Sequence, residues 1–182
     1  HSSLTTSAGN RHAWESKPWT WPMSLRPMLY YVEQGEGVTG CGETSCVRAI
    51  MLLGTPAIWW LAIPVLAWVF WRAVICRDGR YVFPLVGYMA GYLPWFFQHD
   101  RQMYFFYAAV MAPFFIMMIA LVLGEVAGTA SDPPRRRLIG RAIVCLYLAL
   151  VIVNFIYMLP ILSGTPITQS EWNMQLWLPS WR

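Results

Sequence analysis

Lysine is nearly absent from this chain, which has one Lys against twelve Arg, and charged residues of either sign fill only 12% of its 182 positions. An ordinary globular domain carries roughly 25%. With 57% of residues apolar, so little charge excludes a soluble domain of the usual kind and points to lipid. The formal net charge of +4 is neither massed in one domain nor interleaved with aromatics along a groove, which argues against a nucleic-acid partner. Cysteine is scarce too. Cys41, Cys46, Cys76 and Cys145 form neither a Cys-x-x-Cys pair nor a Cys/His set with zinc spacing, so neither a metal site nor a cofactor is expected. His1 rather than Met opens the chain, and no basic segment, short apolar run and small-residue cleavage site follow it. The expectation is a piece of a longer protein.

Four stretches lack charge altogether: Ala49 to Trp71, Tyr81 to Phe97, Met103 to Leu123 and Ala142 to Leu162. An unpaired charge in hydrocarbon costs about 2.5–3.5 kcal/mol or more, and about 17 residues suffice to span as a helix. The stretches predict an all-α, polytopic membrane protein with four transmembrane helices. Arg72, Arg77 and Arg80 lie in the first connection, and Arg135, Arg136, Arg137 and Arg141 in the third. The positive-inside rule makes those loops cytoplasmic and both ends of the chain extracytoplasmic. Residues 1–48 then form an outer Trp-rich loop, 49–162 the four-helix region and 163–182 an outer tail. Pro64, Pro84, Pro94 and Pro113 imply kinked helices that face protein.

Chemistry is sought where polar and aromatic residues mix. His12 to Pro22, followed by Arg26, sets Trp14, Trp19 and Trp21 among Glu15, Ser16 and Lys17. Ring faces beside hydrogen-bonding groups suit a sugar or an extended peptide; the same composition suits an interfacial anchor. Gln98-His99-Asp100-Arg101-Gln102, ahead of Tyr104, is a polar cluster at an outer turn. There Arg101 is able to meet a phosphate as a fixed charged fork, or to pair with Asp100 in a solvated turn. Glu15, Glu33, Glu36 and Glu43 read as solvated loop charges, and Glu33 to Glu43 as an exposed Gly-rich loop. Cys41 and Cys46 close a short loop on the oxidising face, compatible with a disulfide and with two free thiols.

His12 to Pro22 with Arg26 resembles the His-Pro-aromatic-x-Ser-x-Pro-Trp-x-Trp-Pro…Arg block of protein O-mannosyltransferases. Leu53-Gly54-Thr55-Pro56 running into Ile58-Trp59-Trp60 is similar to that family's Gly-Asn-Pro…Trp-Trp entry to a span. Gly91-Tyr92-Leu93-Pro94-Trp95, Arg101 and Phe105-Phe106-Tyr107 ahead of Pro113 resemble its late outer turn. Ala13 stands where the family has Pro, and Thr55 where Asn is common. No β-trefoil insertion precedes the block, as in bacterial members.

The resemblance implies the C-terminal part of a GT-C type inverting glycosyltransferase of the cell membrane. Such an enzyme moves mannose from polyprenyl-phosphate mannose to Ser/Thr hydroxyls of secreted polypeptides. It implies a phosphate contact at Arg101 with His99 and Tyr104 as neighbours, and a sugar or acceptor pocket shaped by His12, Ser16, Trp19 and Arg26. The family's acidic catalytic pair lies in an N-terminal outer loop, so membrane lipid and the N-terminal part of the same enzyme are further partners. The alternative is a non-catalytic multi-span subunit or a transporter segment; the four cores hold no ionisable pathway residue for transport. The purified 182-residue chain is expected to transfer no mannose from a polyprenyl-phosphate donor to a Ser/Thr peptide, and detectable transfer contradicts that expectation.

Overall fold

Gly54-Thr55-Pro56 separates two kinds of structure. Before it, Cys46–Leu52 buries Val47, Ala49 and Met51 and turns Arg48 and Ile50 to the other side, the two-residue period of a strand. After it, Pro56 occupies the first turn of a helix, where its missing N–H costs nothing. The computed structural model describes residues 12–35, 37–98 and 100–182. Its elements are β1 (Met28–Gly35), β2 (Cys46–Leu52), α1 (Pro56–Trp59), α2 (Ala62–Phe70), α3 (Gly79–Tyr92), α4 (Ala112–Ala127), α5 (Pro134–Ser163), β3 (Ile167–Thr168) and α6 (Gln169–Gln175).

The chain is mostly helical but not all-α. An antiparallel sheet of order β1-β2-β3 pairs Met28 with Leu52, Gly35 with Cys46 and Val47 with Ile167, with a bulge between Leu29 and Tyr31. Two expectations change with it. The apolar stretch from Ala49 opens as strand, so its helical part starts at Pro56. Glu33 to Gly35 belong to β1 rather than to a loop. A hydrophobicity window merged a half-buried strand with the helix behind it because both are apolar. Cys41 and Cys46 are disulfide-bonded across the hairpin, with Cα atoms 5.9 Å apart.

Two helices are long and apolar enough to cross a membrane among the described residues: Pro56–Ile75, whose last turns widen to π geometry at Trp71–Ile75, and Pro134–Ser163. α3 contains Pro84 and runs on as a 3-10 segment through Leu93–Phe97, while a 3-10 segment over Phe105–Val110 leads into α4. Tight turns bring the ends of successive helices together. Arg72 bridges Asp78 and Glu125, each at 2.8 Å, and the Trp68 indole donates to Glu125 at 3.0 Å, so the end of the first helix, the start of α3 and the end of α4 meet. Asp78 also caps α3 by accepting the Arg80 N–H, and hydrogen bonds from the Arg80 side chain hold its carboxyl down at about 2. We call this the arginine end; the sheet, the N-terminal block and the tail cover the opposite one.

Two cores result. One runs through the helices from Val69 and Tyr81 to Tyr88, Met111 and Phe115 and takes in Trp21; the other holds Val47, Met51, Met158, Trp172 and Trp181 under the sheet. The outer face of α5 leaves Leu146, Leu150, Val153 and Ile156 exposed, an apolar surface suited to lipid or to further helices. α4 and α5 touch most closely at Gly140, where a Cβ would collide with the Val126 carbonyl oxygen. Gly140→Ala is therefore expected to cost about 1–3 kcal/mol by overpacking and to lower the thermal midpoint in detergent. Gly124→Ala, with open space around it, should leave the midpoint unchanged or raise it.

Candidate functional site

The N-terminal block is folded by its own backbone onto the ends of the helices opposite the arginine end. Glu15 N–H donates to the His12 carbonyl, and Ser16 N–H donates to Met103 O at 2.8 Å, which joins the block to the turn between α3 and α4. Pro18–Thr20 form a 3-10 turn that sends Trp21 inward. Ser24 adopts a left-handed conformation (φ 52°), in which its buried hydroxyl accepts Gly54 N–H at 3.0 Å and its carbonyl accepts the Trp181 indole at 3.3 Å. Arg26 donates to Ala13 O at 2.5 Å and Ser180 O at 2.7 Å and lies over the Trp14 ring at 5.2 Å. Block and tail are thereby one layer.

Arg101 sits against a wall of rings. Its guanidinium carbon is 5.8 Å from the Trp95 ring centre and 5.7 Å from that of Tyr107, and Nη2 donates to the Tyr107 hydroxyl at 3.4 Å. Trp95 and Tyr107 meet at 4.2 Å with their planes tilted by 33°, and Trp21 meets Trp95 edge-on at 5.7 Å. No ion pair from Arg101 to a carboxylate occurs among the described residues. Most of its donors therefore remain open to an external anion. Tyr104 donates to Gln102 Oε1 at 3.3 Å and takes the edge of the His12 ring at 5.4 Å, so His12 and Tyr104 come together. His99 lies outside the described residues.

The remaining sequence candidates are placed differently. Ser16 is 3% exposed, and its hydroxyl accepts the buried Trp21 indole N–H at 2.9 Å. Trp19 is 63% exposed on the 3-10 turn. Arg26 is held by two carbonyls as a clamp between block and tail. Glu15 is not a solvated loop charge: its side chain is only 9% exposed, Oε1 pairs with Lys17 Nζ at 2.7 Å, and Oε2 is buried without a partner among the described residues. Sequence reasoning missed it because its three-residue separation from His12 says nothing about the covering turn at Gln102–Tyr104. No group of three or more His, Cys, Asp or Glu side chains able to hold a metal occurs among the described residues.

A family model described as the C-terminal four TMM region of protein-O-mannosyltransferase matches residues 1–181. The chain belongs to the protein-O-mannosyltransferase family. The polyprenol-phosphate-mannose–protein mannosyltransferase of Mycolicibacterium smegmatis is 60% identical over 182 residues, all of this chain and 35% of that protein. Its counterpart in Mycobacterium tuberculosis is 59% identical over the same span, again 100% of this chain and 35% of that protein. The chain thus spans about a third of the length of these mannosyltransferases. The solved Pmt1-Pmt2 complex of Saccharomyces cerevisiae bound to the sugar donor matches with a TM-score of 0.72 over 98% of this chain and 25% of that one, at 23% identity, a likeness of fold.

For this mannosyltransferase region the geometry separates positioning from contact. Ser16→Ala leaves the Trp21 indole N–H buried without an acceptor, a cost of about 1–3 kcal/mol. The variant is expected to show a lowered thermal midpoint and altered Trp fluorescence in the absence of any substrate; an unchanged midpoint contradicts the structural role of the Ser16 hydroxyl.

Proposed function

We propose that this chain is the C-terminal membrane portion of a glycosyltransferase that moves mannose from polyprenyl-phosphate mannose to Ser/Thr hydroxyls of secreted polypeptides. The observation that carries the reading is Arg101: a guanidinium without a carboxylate partner among the described residues, braced by Trp95 and Tyr107 at the turn between α3 and α4. In the transfer an acceptor oxygen attacks the anomeric carbon, the bond from that carbon to the phosphate oxygen breaks, and polyprenyl phosphate leaves with the negative charge. Arg101 meets that charge; Tyr104 is a second candidate for the phosphate, as His99 is from the sequence alone. The proton passes to a base in the N-terminal part of the enzyme, because no carboxylate pair here is spaced for that work. His12 and Trp19 line the sugar or acceptor side, while Ser16 and Arg26 hold the layer that carries them.

In this reading the chain crosses the cell membrane four times. The second and third crossings are completed at their outer ends by the 3-10 segments Leu93–Phe97 and Phe105–Val110. The arginine end lies in the cytoplasm; residues 1–48 and 163–182 lie outside, where the Cys41–Cys46 bond is stable. The names of the mycobacterial relatives support the chemistry. In the full-length protein, Arg101→Ala is expected to lower kcat/KM for the lipid donor on the order of 100-fold, the range found when one donor to a developing negative charge is removed. An unchanged donor dependence in a folded variant rules out the phosphate role.

A further inference from the structure

The arginine end holds more positive charge than the fold itself uses. Seven arginines there (Arg72, Arg77, Arg80, Arg135, Arg136, Arg137 and Arg141) face three carboxylates. Those carboxylates are already engaged: Asp78 and Glu125 by Arg72 and Arg80, and Asp132 by Arg136 at 3.2 Å and by the Thr129 N–H at 2.7 Å. Arg135 and Arg141 make no ion pair or hydrogen bond among the described residues, and Arg137 Nε is buried without an acceptor. Beside them, between α4 and α5, lies a cavity of about 560 Å³ lined by Arg135 and Arg136 and by Val126, Pro133, Ile139 and Ile143. Its wall is apolar apart from the two guanidinium groups, of which that of Arg136 also donates to Asp132 and to the Glu125 carbonyl, each at 3.2 Å. Further along the same helix Leu146 and Leu150 are exposed.

We infer that this cavity binds one anionic phospholipid of the cytoplasmic leaflet, with its phosphate on Arg135 and Arg136 and an acyl chain along Ile139 and Ile143. The charge and the wall together select that ligand. An anion alone would satisfy the guanidinium groups and leave Val126, Ile139 and Ile143 against water, and a zwitterionic lipid would fill the wall while bringing its own cation to the arginines. Basic pockets at the cytoplasmic ends of membrane helices bind anionic headgroups for the same reason. Because Arg135 and Arg136 stand about two turns before Ile143 on the single helix α5, the headgroup depth is fixed and the α4–α5 joint at Gly140 is covered from outside. The inference rests on the membrane placement proposed above but not on the transfer activity, and it is read without any mannosyl donor.

The test is native mass spectrometry of the full-length protein extracted in mild detergent, followed by delipidation and thermal shift. The added ligand is phosphatidylglycerol, phosphatidylcholine with the same chains, or inorganic phosphate. A retained anionic phospholipid, with a midpoint raised by phosphatidylglycerol and not by the other two, is the expected result. Arg135→Gln, at a side chain without a partner in the fold, should weaken phosphatidylglycerol binding about 5-fold, the effect of one surface arginine. Ile143→Trp, which fills the cavity and keeps every charge, should abolish retention. Equal stabilisation by the two lipids overturns the charge selection. Equal stabilisation by inorganic phosphate overturns the lipid assignment, and retention undiminished in Ile143→Trp overturns the location.

Discussion

The buried indole of Trp21 joins the two layers on which the rest of the structure depends. Its ring enters the helical core beside Trp95 and Tyr107, and its N–H is satisfied by Ser16 from the same block. An indole of this size brings a large apolar area and one polar atom that must find an acceptor when buried. Both requirements are met only if the N-terminal block lies flat over the outer turns. The backbone bond from Ser16 to Met103 then falls into place, and with it the meeting of His12 and Tyr104. The site is a consequence of this docking, not of any one contiguous motif.

At the other end the constraint is electrostatic. Arg72 is forked between Asp78 and Glu125, so one guanidinium ties together three consecutive helices. Charge-assisted contacts of this kind fix geometry well even where solvent screening makes their net stabilisation small. They also consume Asp78 and Glu125, while on α5 Arg136 is held by Asp132 and Arg135 makes no ion pair or hydrogen bond among the described residues. The two ends thus divide the work. Aromatic packing builds the end where chemistry is proposed, and arginine ion pairs tie the helices together at the other.

Much of this was legible before any coordinate. Of the prolines, Pro94 and Pro113 stand in the first turns of new helical segments, whereas α2 and α3 run through Pro64 and Pro84 without a break, and the family resemblance carried by His12 to Pro22, by Trp59-Trp60 and by the turn before Pro113 agrees with the family match. The strands were not legible. Val47, Ala49 and Met51 face a core completed by Met158 and Trp172 more than a hundred residues later, and no local pattern distinguishes that burial from the start of a span. Ser16 and Arg26 belong to a motif, yet a motif does not say whether a side chain meets a ligand or a neighbour; Trp21 and Ser180 answer for them.

The sequence by itself determined the class of environment and the family. Excluding charge from four long stretches is a solvation requirement written residue by residue, and motif order survives without knowledge of the fold. Only the tertiary structure decided which charges are engaged and which are left over. Glu15 became a buried carboxylate, Arg26 a clamp and Arg101 a guanidinium braced by rings, while Arg135 stayed without a partner among the described residues. The difference is physical: hydropathy sums over neighbours in sequence, whereas hydrogen bonding and desolvation depend on neighbours in space.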